Sequence, residues 1–396
     1  MAERKGSEAS QTPRQPPPPS FPTHNSPRTW FLTSALSPLA VRLTRLLLAH
    51  GDHVVACLPP HEIDHDHRSA EFRDLVAECK SDRPDRLAWK DRIRGVRCDA
   101  RVPAHCSAAV AEAVQVFGRI DILLCCASEA VVGTVEELAA SPATQALVRD
   151  QFEAVFFSQV NFIKAALPLF RSQHTGHVLV LSSTGGHIGT PGMPIYTSAV
   201  WALEGFCDSL AYEVAPFNVK VTIVQPNKEI QSLTNRIIFA PRLQQPASTA
   251  FSISSHGPDD DEDDEDGAHA AHGAPSIRDM LTTVVDSDPE SALDPAAAPD
   301  EIQYRYPRLS AAANDQLVME TVHALAAIGG HENPPARHIV GPEASVAVKE
   351  KLRTVTEELE EFVDASLAVD IFDTELNAEA RAGDAGAGAD APMAGT

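Results

Sequence analysis

The chain has 396 residues, 43% of them apolar, and a net charge of −23 at pH 7. The apolar share is ordinary for a globular core, while the negative balance excludes a phosphate backbone as a bulk electrostatic partner, so no nucleic acid is expected. No stretch reaches the ~18 apolar residues of a membrane span, and the N-terminus carries no apolar leader, so the expectation is no membrane and a cytoplasmic location.

Residues 1–28 are polar and proline-rich, including Pro16–Pro19, and read as a disordered tail. From Thr29 short apolar runs alternate with helical patterns. Trp30–Leu32 reads as a strand, Pro38–His50 as a helix, His53–Leu58 as a second strand and Gly95–Cys98 as a third. Ala108–Phe117 is the next helix, Ile122–Cys126 a strand, Phe152–Phe170 a long helix and His177–Leu181 a strand. In the helix Tyr196–Val214, positions Val200, Leu203, Cys207, Leu210, Ala211 and Val214 share one face, and Val219–Val224 is a sixth strand.

Near-continuous apolar strands alternating with helices imply an α/β fold, a Rossmann-type doubly wound parallel sheet with helices on both faces. That domain is expected over 29–246. An acidic low-complexity insertion follows at 247–304, holding the eight-residue run Asp259–Asp266, which reads first as a solvated spacer and otherwise as a surface for a basic partner or a divalent cation. Residues 305–372 would complete the domain, with helices over Asp315–Ile328 and Val346–Leu367 around a strand at Arg337–Val340, and 373–396 would be a flexible tail. The seven cysteines lack C-x-x-C spacing, which suits buried reduced thiols.

Two motifs carry the chemistry. Ser182 and Ser183 end the fifth strand, and Tyr196 follows Ser183 by thirteen residues. Beyond them come V-T-I-V-Q-P-N and, at 332–341, E-N-P-P-A-R-H-I-V-G. This order resembles the short-chain dehydrogenase/reductase family, whose catalytic tyrosine lies in Y-x-x-x-K thirteen residues after its catalytic serine. The resemblance covers roughly 29–235 and 315–372. It implies NAD- or NADP-linked oxidation of an alcohol or reduction of a ketone, with a small-molecule substrate. Ser183 would polarise the carbonyl and Tyr196 would be the acid/base. It also implies a homodimer through helices 152–170 and 196–214, although those apolar faces would equally serve to cover the sheet.

The chain departs from the family at several positions. The lysine of Y-x-x-x-K is Val200, and the asparagine position falls on Val155, with Asn161 further along the same helix. A cofactor loop expected as T-G-x-x-x-G-x-G reads T-S-A-L-S-P-L-A at 33–40, so Ser34, Pro38 and Ala40 replace three glycines. N-N-A-G reads C-C-A-S at Cys125–Ser128. The expected cofactor contacts are therefore Thr33, Ser34, Asp99 after the third strand, and Ala127. The second strand ends in Leu58-Pro59-Pro60, without the acidic or basic residue that would tell NAD from NADP.

Loss of the lysine and of the loop glycines predicts impaired or lost catalysis. The alternative is a non-catalytic protein of the same fold that senses a nucleotide or scaffolds a protein partner. His61, His65 and His67, interleaved with Glu62, Asp64 and Asp66, match no zinc spacing. They read as a solvated loop, and no metal is expected.

Overall fold

The computed structural model describes residues 19–226, 236–243, 302–306, 310–363 and 365. Residues 1–18 of the expected tail, nearly all of the acidic insertion and the tail from 373 lie outside these. The described residues up to Ser345 form one compact unit, and those from Val346 onward form a second.

Seven parallel strands make the central sheet: β1 (Thr29–Leu32), β2 (His53–Leu58), β3 (Ile93–Arg97), β4 (Ile122–Cys125), β6 (Gly176–Leu181), β7 (Val219–Pro226) and β10 (Arg337–Val340). Their order is β10-β7-β6-β4-β1-β2-β3. The chain runs outward from β1 to β3, returns to β4, and then builds in the other direction. This reversal opens a crevice beyond the carboxyl ends of β1 and β4, where ligands of such sheets bind. The doubly wound reading therefore holds.

Both faces of the sheet are covered, which explains why its strands read as unbroken apolar runs. On β1, Trp30 and Leu32 enter one core with Leu39, Leu43 and Leu47 of α1 (Pro38–His50). Phe31 enters the opposite core with Phe162 and Phe170 of α8 (Ser158–Gln173) and with Leu203 and Leu210 of α9 (Pro194–Val214). Each such buried side chain contributes roughly 1.5–3 kcal/mol relative to exposure. All seven cysteines are buried and free. Among the described residues no helix is long and apolar enough to cross a membrane.

Several elements differ from the expectation. The segment expected as a solvated loop after β2 is helical, as α2 (Pro60–Ile63) and α3 (Asp66–Cys79), with Glu62 and Arg68 buried and paired at 2.9 Å. Alternating acid and base hid this helix, because only Phe72, Leu75 and Cys79 supply an apolar face. The long helix begins at Pro142, not Phe152. Ser141 caps α7 (Pro142–Phe152), and a π-helical turn at Glu153–Phe157 joins it to α8.

A second, three-stranded sheet was not expected at all. β5 (Glu129–Val132) pairs in parallel with β8 (Arg236–Phe239), and β8 pairs antiparallel with β9 (Gln303–Arg305). The helix before β10 ends at Ile328 as expected but starts at Ala311, ahead of the expected Asp315, and the last helix runs from Pro342 to Glu361 where Val346–Leu367 was expected.

Candidate active site

Thr33, Ser34, Asp99 and Ala127, distant in sequence, line one cavity of about 80 Å³ at the carboxyl ends of the strands. They share it with His61, Glu62, Arg101, Glu129, Asp150 and Arg236. Sequence reasoning assigned none of the six to this site, weighing only His61 and Glu62, which it read as part of a solvated loop. They sit in a helix it did not assign, on the small sheet, or on loops whose direction the sequence does not encode.

The loop from Thr33 to Ala40 is built as structure. Thr33 Oγ1 accepts from Cys126 N–H at 3.0 Å and donates to Gln159 Oε1 at 3.1 Å, while Gln159 Nε2 donates to Ala127 O at 3.2 Å. Gln159 on α8 thus supplies the brace that the amides of N-N-A-G would have given. Cys126 Sγ adds a bond to Ser34 O at 3.1 Å. Ala35 N–H is spent on Cys57 O at 2.9 Å, and Ala40 N–H on Ser37 Oγ at 3.1 Å. Pro38, the first residue of α1, has no N–H to offer. An anion at a helix N-terminus needs free donors there. At these positions the chain has spent them or lacks them, and Ser34, Ala35, Leu36 and Ser37 are all buried. Ala35, Pro38 and Ala40 therefore offer no N–H to an anion in this loop.

Charges in the cavity are also engaged. Asp99 is held by Arg101 through Nε at 3.0 Å and Nη2 at 3.1 Å, a pairing that keeps its carboxyl below the usual range. Glu62, expected only as part of a solvated loop, is the acidic residue beyond β2, and its carboxylate is tied to Arg68. Burial pushes the Glu129 carboxyl up, and Arg236 partly offsets this from 2.6 Å. Glu129 Oε1 has no hydrogen-bond partner.

Tyr196 and Val200 lie one turn apart on α9 within an apolar cluster that includes Val155, Met193, Ile237 and Phe239. Val155 reaches it from the π-helical turn, and Ile237 and Phe239 from β8. The small cavity that Tyr196 borders, with Ala127, Ser128, Val155, Leu181, Ser182, Val200 and Leu203, has a volume of about 10 Å³. That is the scale of a single water. Ser183 is fully buried, and its Oγ accepts from Gly185 N–H at 2.9 Å. Gly185 lies between the serine and the tyrosine, because a Cβ there would meet Ser183 Oγ at 2.7 Å and Tyr196 Cε1 at 4.0 Å. Trp201 Nε1 fixes the same turn by donating to Gly185 O at 2.6 Å.

Other candidates serve elsewhere. Asn161 Nδ2 donates to Ala100 O at 3.0 Å. Lys220 Nζ bonds Asn218 Oδ1 at the amino end of β7, the opposite end of the sheet from Tyr196, and Lys164 is exposed on α8. Ser182 Oγ donates to the buried Glu204 on α9, which also accepts from Gln225 Nε2 at 2.8 Å and faces Arg337 Nε at 3.6 Å. Gly186 is required there, since a Cβ would come within 2.0 Å of Glu204 Oε1.

Comparison with known proteins gives a consistent picture. The family model for short chain dehydrogenases matches residues 31–230. The "Oxidoreductase BOA17" of Botryotinia fuckeliana is 32% identical over 199 residues, which make up 50% of this chain and 65% of that one. A "3-ketodihydrosphingosine reductase" of Bacteroides thetaiotaomicron is 35% identical over 137 residues, covering 32% of this chain and 49% of its own. The chain thus spans between about half and two thirds of the length of these relatives. A solved short-chain dehydrogenase from Streptomyces avermitilis superposes with a TM-score of 0.58 at 23% identity, over 87% of this chain and 100% of that one. At that identity the likeness concerns the fold alone.

Proposed function

This chain belongs to the short-chain dehydrogenase/reductase family, and we propose that it keeps the family's frame while its NAD(P)-linked chemistry on an alcohol or ketone is impaired or lost. The observation that carries this reading is the pair of changes at the two ends of the reaction path. At one end, Pro38 brings no N–H to the start of α1 and Ser37 Oγ already engages that of Ala40, which weakens the seat for a pyrophosphate. At the other, Val200 brings an isopropyl group where the reaction calls for an ammonium, and Ile237 and Phe239 pack in the same cluster.

Ser183 and Tyr196 are the residues on which any residual turnover would rest, with Ser183 polarising a carbonyl and Tyr196 moving its proton. The expected experiment is a screen of alcohols and ketones with NADH and NADPH, and turnover at the level of an intact family enzyme would end the proposal.

A second reading, nucleotide sensing without catalysis, is favoured by the polar cavity that gathers Thr33, Ser34, Asp99 and Ala127 around the unpaired Glu129 Oε1. Binding of a nucleotide without turnover would select it. We also propose the homodimer through the helices containing 152–170 and 196–214, supported by Phe157, Trp201 and Tyr212, exposed at 46%, 51% and 85%. Sedimentation equilibrium tests it, and a Phe157→Glu/Tyr212→Glu variant should be monomeric.

A further inference from the structure

At the opposite end of the sheet from the crevice, a cavity is lined by Phe21–Pro27, His50–Asp52 and Arg92. α1 ends there at Gly51, whose φ of 106° is a left-handed conformation suited to glycine. That turn folds the carboxylate of Asp52 back towards the ring of His50, with Nδ1 3.2 Å from Oδ2. The segment leading into β1 brings His24 to the same carboxylate, its Nε2 3.7 Å from Oδ1. The three ligand atoms lie within 4.8 Å of one another.

Hydrogen bonding defines what each group can still do. His24 Nδ1 lies 2.5 Å from Ser26 O, an acceptor only, so that nitrogen carries the proton. Nε2 then presents a lone pair to a carboxylate oxygen, an arrangement that repels unless a cation lies between them. The cation is either a second proton on the ring or a metal ion. Asp52 is itself fixed, because Oδ1 accepts from Arg28 N–H at 2.9 Å and its side chain is 2% exposed. His50 is stacked on Phe21 with ring centroids 3.6 Å apart. Oriented imidazoles with a backbone carbonyl behind one of them, and a carboxylate held by a backbone N–H, are the outer support that metal sites use.

We infer that His24, His50 and Asp52 form a zinc-binding clasp that pins the segment before β1 to the turn between α1 and β2. A tetrahedral zinc site with bonds of ~2.0–2.2 Å separates its ligand atoms by about 3.3 Å. His50 Nδ1 lies 3.2 Å from Asp52 Oδ2 and His24 Nε2 3.7 Å from Asp52 Oδ1, and one ligand atom from each residue falls within 4.8 Å of the others, so a small rotation of the carboxylate and rings closes the set on an ion. Two imidazoles and one carboxylate select a borderline-soft ion over calcium or magnesium, which take oxygen ligands. The Arg28 guanidinium is engaged on Gly329 O at 2.9 Å. With three protein ligands, water completes the coordination. The sequence hid the site because its ligands come from a proline-rich segment and an H-G-D turn, not from a recognised spacing.

The test uses the full chain stripped with a chelator and titrated calorimetrically with Zn²⁺, then with Co²⁺ followed by visible absorption. The clasp predicts one strong Zn²⁺ site, tetrahedral Co²⁺ bands and a rise in Tm with Zn²⁺. His24→Ala and His50→Ala, each checked for an unchanged circular dichroism spectrum, should each weaken the strong site by at least about 100-fold and remove the Tm rise. Absence of a strong site in the unmodified chain would mean that a proton alone bridges the ring and the carboxylate, which overturns the inference. Zn²⁺ binding left intact by both substitutions would overturn it as well, by placing the metal on other histidines.

Discussion

Val200 follows Tyr196 by one turn of α9, and the two are buried together at 3% and 4% exposure in a single apolar cluster. The position that should carry an ammonium is therefore part of a packed core. Val200→Lys would place a long cationic side chain among Val155, Ile237 and Phe239. The expected result is a loss of stability on the order of 2–4 kcal/mol in urea unfolding. Turnover should not appear, because the loop before α1 is changed as well. A stable and active Val200→Lys protein would show that the missing charge was the only lesion.

Arg236 is the clamp that holds β8 over this cluster. Its guanidinium meets Glu129 on β5 at 2.6 Å, in the first register pair of the small sheet. Removing it leaves a buried carboxylate alone. Arg236→Ala should cost about 2–4 kcal/mol at neutral pH, somewhat less than a fully buried pair because the arginine is partly exposed. Burial already raises the Glu129 carboxyl, so the stranded group can take up a proton as pH falls. The deficit of the variant should narrow between pH 7 and 5, as measured by unfolding of both proteins across that range.

His177 on β6 sets a second pH dependence. Gly330 N–H donates to its Nδ1 at 3.0 Å, so the proton lies on Nε2, which donates to Thr222 Oγ1 at 3.0 Å. Thr222 Oγ1 in turn donates to Pro335 O at 2.8 Å. Burial depresses the imidazole to about 3, against 6.5 when free. Below pH 6.5 the unfolded chain therefore binds the extra proton and the folded chain does not, so stability is full above 6.5 and falls with pH. Between pH 6.5 and 4.5 the loss from this group is about 2–3 kcal/mol. In His177→Gln that part of the slope should vanish, and equal slopes for both proteins would exclude the assignment.

The sheet was legible because its strands are buried on both faces, so Trp30–Leu32, His53–Leu58 and Ile122–Cys125 stand out as apolar runs between helical patterns. Ser183 and Tyr196 were legible through their spacing alone. The crevice was visible only in part. Thr33, Ser34, Asp99 and Ala127 follow strand ends, whereas Glu129 and Arg236 meet through a pairing across 107 residues that leaves no local trace. Gln159 is another such case: a polar residue on a helix gives no hint that it braces Thr33 and Ala127. Helix α3 escaped because its charges are distributed nearly all round it. The filling of the cluster around Tyr196 depends on β8, a strand of four residues, Arg236–Phe239.

The most direct test of the central claim is calorimetric titration of the purified chain with NADH and NADPH. With Ala35 N–H and Ala40 N–H already bonded and Pro38 lacking a donor, neither cofactor should bind up to millimolar concentration. Micromolar binding of either would contradict the account, whether or not a ketone then oxidises the nicotinamide.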